Sequence, residues 1–113
     1  MEDRLIELLE TFGYPVIRQG SMGEGENYPD SFFTFWNNDS SSESHYDNNS
    51  ESTLYNYDVN FYSSDPSLTY SKLREAITLL KNNGFIISGD GYDVASDEDT
   101  HTGRGVNALY LNF

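Results

Sequence analysis

The chain has 113 residues, the length of one small domain with a modest two-layer core, and it sets 6 Lys and Arg against 19 Asp and Glu for a formal net charge of -13. That balance argues against direct binding to phosphate backbones, which requires basic side chains to displace counterions, and against docking on anionic lipid. The absence of cysteine excludes disulfide frameworks, thiolate zinc sites and cysteine nucleophiles, and no apolar run approaches the ~20 residues of a membrane-spanning helix.

The opening "MEDRLIELLETFG" is acidic and amphipathic, whereas a secretory signal needs a basic start and a continuous apolar run, so the expected compartment is a cytoplasm. Residues 3–12 are expected to form a short helix, with Leu5, Leu8, Leu9 and Phe12 on one face and Glu2 and Asp3 opposing the positive end of its dipole. Gly13 and Pro15 stop it. "YPVIRQGSM" contains a short strand at 16–19, and "GEGENYP" is a turn-rich connection. In "SFFTFWN" four rings fall within five residues, and the period of two puts Phe33 and Phe35 on one side, Phe32, Thr34 and Trp36 on the other. Both faces of this strand are thus expected to meet something other than bulk water.

The polar stretch 37–52, whose only larger groups are His45 and Tyr46, reads as a long acidic hairpin loop that cannot build core. "TLYNYDVNFYSS" alternates Tyr55, Tyr57, Val59 and Phe61 with Asn56, Asp58 and Asn60, the pattern of a strand covered on one side. A helix is expected over 69–82, with Tyr70, Leu73, Ile77 and Leu80 as its stripe, Ala76 beside it, Lys81 near its negative end and Gly84 as its stop. "FIISGDGYDVAS" reads as a strand interrupted at Gly89-Asp90-Gly91, "DEDTHTGRG" as a second acidic loop, and "VNALYLNF" as a closing strand. Together these predict one α+β domain over residues 1–113: a small, mostly antiparallel sheet with two helices packed on one face. Tyr55, Tyr57, Val59 and Phe61 should face the helices, and Asn56, Asp58 and Asn60 should face away.

No constellation in the sequence carries chemistry. The two histidines, His45 and His101, both fall in expected loops, and no Ser–His–carboxylate set sits on rigid elements. The expectation is a chain without catalytic residues, cofactor or metal. Asp90, Asp93, Asp97, Glu98 and Asp99 offer hard oxygens, but their order does not match a calcium loop and reads as a solvated acidic turn. Aromatic strands that stack on bases carry Lys and Arg along the backbone track, whereas here only Arg18 and Arg104 lie outside the helices. One face of the ring-rich strand is expected to be core, and the other is either a second core layer or a contact with another subunit, since aromatic residues are enriched at interface centres. Phe32, Phe35, Trp36 and Tyr46 are the candidate interface residues.

The element order resembles the tail terminator, or tail-completion, proteins of long-tailed bacteriophages, which join tail to head. The resemblance rests on the opening helix leading into "FGYPVIRQGS", then "YPDSFFTFWNN", "YNYDVNFYSSDPSL", "LREAITLLKNNGF" and "GVNALYLNF". It covers nearly the whole chain as a pattern. It implies an α+β sandwich whose copies form a ring, commonly a hexamer, in the virion neck after assembly in the bacterial cytoplasm. The ring would cap the tail tube protein, stop its polymerisation and offer a surface to the head-tail connector proteins. DNA would pass through its lumen without sequence-specific binding, and no membrane is involved. A second reading of the same acidity is a DNA mimic that inhibits a basic host protein through electrostatic complementarity. The many acids in expected loops, among them Asp39, Glu43, Asp47 and Glu51, fit that reading less well than a regular array on rigid elements would.

Overall fold

The computed structural model of the chain describes residues 2–18, 29–42, 53–96 and 100–112. Helix α1 (Glu2–Glu10) buries Leu5 and Leu9, one turn apart, and keeps Glu2 and Asp3 in its first turn. Leu8 and Phe12 are partly buried against the same core. Gly13, at φ +86°, takes the left-handed conformation that lets the chain leave the helix. Strand β1 (Val16–Arg18) follows; Gln19, the last residue of the expected strand, lies outside the described residues.

Strands β2 (Ser31–Ser42) and β3 (Thr53–Ser63) form an antiparallel pair whose register runs from Ser31 opposite Ser63 to Ser42 opposite Thr53, with a shift between Asn37 and Asp39. This corrects the sequence expectation that residues 37–52 are all loop. Residues 37–42 continue the ladder, because backbone N–H and C=O groups pair whatever side chains they carry, and the start of β3 offers them a partner edge. The rest of that expected loop, including His45 and Tyr46, lies outside the described residues.

Helix α2 (Pro66–Asn82) begins three residues before the expected start at Thr69. The Asp65 carboxylate accepts from the Ser67 amide at 3.0 Å, and Pro66 occupies the first turn, where no amide donor is required. Leu73, Ala76, Ile77 and Leu80 are buried as expected, but Tyr70 is 49% exposed. Its ring instead lies at the rim of the helix, 5.0 Å from the guanidinium of Arg104.

The segment expected as one interrupted strand is two separate pieces. Ile86 makes a single bridge with Leu109, and after Gly89 and Gly91 reverse the chain at positive φ, strand β4 (Tyr92–Val94) begins. Strand β5 (Thr102–Asn112) starts four residues before the expected closing strand, so Thr102 to Gly105 are sheet rather than acidic loop. The glycines there are compatible with a strand because bulky neighbours use the space above them. A Cβ on Gly103 would come within 2.6 Å of the Tyr62 ring, and one on Gly105 would collide with Asn60 Oδ1.

The five strands lie in the order β1-β2-β3-β5-β4; β1 runs parallel to β2, and the other neighbours are antiparallel. Both helices pack on one face. Leu5 and Leu9 of α1 and Leu73, Ala76, Ile77 and Leu80 of α2 form one cluster with Phe33, Phe35, Tyr57, Val59, Phe61, Val106 and Ala108 of the sheet. The chain is therefore a small α+β fold. Among the described residues no helix is long and apolar enough to cross a membrane.

Two consequences of this packing are measurable. Gly105→Ala should destabilise the fold by about 1–3 kcal/mol, as overpacking does, because Asn60 and the adjacent β3 backbone must move; urea denaturation reads it. Tyr57 is 1% exposed, and burial, then the charge of Glu2, push its phenol up from 10.0 to about 12. The unfolded chain ionises this phenol first, so its contribution to stability is intact below pH 10 and is lost as pH rises to about 12. In melts across that window Tyr57→Phe should show a flatter decline than the unaltered chain.

Candidate functional site: the open face of the sheet

The face of the sheet opposite the helices takes its residues from the other phase of each strand. β2 supplies Phe32, Thr34 and Trp36, β3 supplies Asn56, Asp58, Asn60 and Tyr62, β5 supplies Asn107 and Leu109, and β4 supplies Tyr92 and Val94. No helix among the described residues covers it. Trp36, Tyr92 and Ile86 are 48%, 46% and 56% exposed. They are three of the four large hydrophobic residues so exposed among the described residues; Tyr70 is the fourth.

The centre of this face is an amide network. Asn107 Nδ2 donates to Asn56 Oδ1 at 2.6 Å and to Asp58 Oδ1 at 3.1 Å, and Asn38 Nδ2 donates to the same Asn56 oxygen at 3.2 Å. Trp36 pairs across the ladder with Asp58, which itself lies opposite Asn107. Tyr92 lies opposite Gly105, where the missing side chain leaves room for the Asn60 amide. The result is a shallow cleft of about 400 Å³ lined by Trp36, Asn38, Asp58, Asn60, Tyr92 and Val94. The Tyr92 phenol is pushed up by partial burial and, secondarily, by the negative charge of Asp58, which lines the same cleft.

At the other end of the face, Phe32 stacks on Tyr62 with ring centroids 5.3 Å apart and meets the His101 ring at 6.0 Å. His101 Nε2 donates to the Pro29 carbonyl at 2.8 Å while Nδ1 lies 2.9 Å from the Thr100 hydroxyl. Between the two ends, the Thr34 hydroxyl is buried without a hydrogen-bond partner among the described residues.

Charge is divided between the two sides of the sheet. All six basic residues belong to the helix layer or point toward it. Arg4 is on α1 and donates to Asn83; Arg18 shares a face with Phe35 and pairs with Glu2 at 3.2 Å. Lys72 pairs with Glu75 at 3.1 Å, and Arg74 and Lys81 stand on the exposed side of α2. Arg104 shares a face with Phe61, pairs with Asp93 at 2.9 Å and meets Tyr70. The open face, which carries Asp58, thus holds no Lys or Arg.

Of the four interface residues expected from the sequence, the structure brings Phe32 and Trp36 to one face and separates Phe35 from them. Phe35 is 2% exposed and belongs to the core under the helices, so it is no surface contact; the period of two places it with Phe33. Phe32 is itself only 4% exposed, and Tyr46 lies outside the described residues. Sequence reasoning missed Tyr92, Ile86 and Asn107. The alternation Tyr92, Asp93, Val94 was the available signal, but three residues are too few to set a phase against the glycines before them. Of the acidic turn, Asp93 is engaged by Arg104, and Asp97, Glu98 and Asp99 lie outside the described residues. Among the described residues no three His, Asp or Glu side chains converge as a metal site would require.

No protein-family model matches this chain, and no curated protein matches its sequence.

Core and surface roles separate by truncation. Phe35→Ala should cost about 3–5 kcal/mol in denaturant melts, as removal of a buried ring does, whereas Trp36→Ala should cost about 1 kcal/mol or less.

Proposed function

We propose that this chain is a non-enzymatic structural subunit of a bacteriophage virion, a tail terminator. Its copies form a ring, commonly of six, that caps the tail tube, halts tube polymerisation and joins the tail to the head connector. The observation that carries this reading is the open sheet face, with half-exposed rings around an amide centre, on a domain whose main core cluster lies on the other side. Exposed apolar surface rimmed by polar groups marks protein contact, and its mixture of rings and amides matches the centre and rim of such contacts. A closed ring joins two different surfaces of neighbouring copies, and a domain with a helix layer on one side and, among the described residues, no helix on the other side of its sheet offers two such surfaces. The net charge of -13 suits a conduit, whose wall should repel passing phosphates instead of holding them. The sequence resemblance supplies the specific place in the virion.

Solution mass of the purified protein across concentration, with and without short tail tubes, followed by negative-stain imaging, tests the proposal. Rings, or caps on tube ends, are the expected result. A chain that stays monomeric at every concentration and leaves tubes uncapped would overturn it.

A further inference from the structure

We infer that the cleft between Trp36 and Tyr92 is a receptor for a guanidinium, and that its occupant is Arg74 on α2 of a second copy of this chain. The inference rests on the ring reading above and names the contact that would close it.

The cleft has the chemistry of a cation site. Trp36 and Tyr92 stand on strands β2 and β4, three strand spacings or roughly 14 Å apart in backbone, which leaves a planar group room between the rings. A guanidinium stacks on aromatic faces and donates in a fork to a carboxylate, and it is weakly hydrated enough to enter a part-apolar cleft. Asp58 supplies the carboxylate. Asn107 occupies one of its oxygens, and among the described residues no cation pairs with it. Asn38 and Asn60, whose side-chain carbonyls accept hydrogen bonds, complete the lining. A neutral or anionic occupant would leave this carboxylate uncompensated on docking, which is costly.

The division of charge points to where the cation comes from. None of the six Lys and Arg of the same copy lies on the open face, so a guanidinium in the cleft would come from another molecule. Arg74 and Lys81 are the basic residues on the exposed side of α2 that make no ion pair among the described residues. Arg74 is the arginine of the two, and it stands in a shallow surface hollow lined by Tyr70, Ser71, Arg74, Glu75 and Thr78. A contact from the helix layer of one copy to the open sheet of the next joins two different surfaces, as ring closure demands. The excess negative charge of each copy opposes this contact at low salt, and screening relieves the long-range part.

Charge reversal in two separate chains tests the assignment. Asp58→Arg and Arg74→Glu are purified separately, and each is checked by thermal melt. Association alone and on tube ends is followed by sedimentation and by the emission of Trp36, the only tryptophan. Each variant alone meets only like charges at this contact, so its half-association concentration should rise at least about tenfold. An equimolar mixture restores opposite charges at every contact around an alternating ring, and association should return to within about threefold of the unaltered chain. Tyr92→Ala, at an exposed edge, should weaken association in the same direction and remains informative if Asp58→Arg fails to fold.

Rings or caps that form with unchanged affinity in Arg74→Glu and Tyr92→Ala, or without a change in Trp36 emission, would overturn the inference and leave the ring reading standing. Failure of the mixture to recover would also overturn it. If Trp36 emission responds to tubes while copies do not associate with one another, the occupant is a cation of the tube protein, and the second-copy assignment falls. Absence of both association and capping in the unaltered chain removes the ring reading itself.

Discussion

Successive side chains of a strand point to opposite faces, and β3 sits at the centre of the sheet with no freedom to vary that rule. Once Tyr57, Val59 and Phe61 are committed to the space beneath the helices, Asn56, Asp58 and Asn60 must occupy the other side. The neighbouring strands are phased by the same ladder. Phe33 and Phe35 of β2 and Val106 and Ala108 of β5 join the core, while Trp36 and Asn107 align with Asp58. A slip of one residue anywhere in this ladder would put carboxylate and amide groups under the helices and rings into water, so the register is held by the full cost of burying those polar groups. Core and cleft are thus two readouts of one register.

That shared origin explains which parts of the molecule were legible in the sequence. The phase of β3 is written in eleven residues of alternating character, and the helix stripes recur at helical spacing, so both were readable without coordinates. The continuation of β2 through residues 37–42 was not, since its partnering is made by backbone groups while its side chains are those of a loop. Gly103 and Gly105 read as loop for a related reason. What makes them strand residues is the bulk of Tyr62 and Asn60 on the neighbouring strand, a long-range fact invisible in "HTGRG". Phe35 counts among the surface candidates because four clustered rings suggest a patch; alternation pairs it with Phe33 but does not say which of two ring-bearing faces is the core. Tyr70 shows the converse, an apolar position on a helical stripe that the packing leaves at the rim beside Arg104.

The same geometry segregates charge. A guanidinium on a face that already supplies the core must end at its edge, as Arg104 does between Asp93 and Tyr70 and as Arg18 does beside Glu2. With all the basic residues drawn to one layer, the molecule has two chemically different sides from very few cations. A domain built this way has a direction along the normal of its sheet, and directionality of that kind is what repeated, head-to-tail contact requires.

Strand β5 is the last of the five in chain order, yet it lies inside the sheet, bonded to β3 on one side and β4 on the other. A ribosome that has delivered everything through β4 holds a sheet missing an inner member. The β3 edge then stands open, and the core lacks Val106 and Ala108. The sheet therefore closes only after β5 clears the exit tunnel, and until then the β3 edge is unsatisfied. Its acidity acts during that interval as well, since like-charged copies that meet before the sheet is complete repel one another.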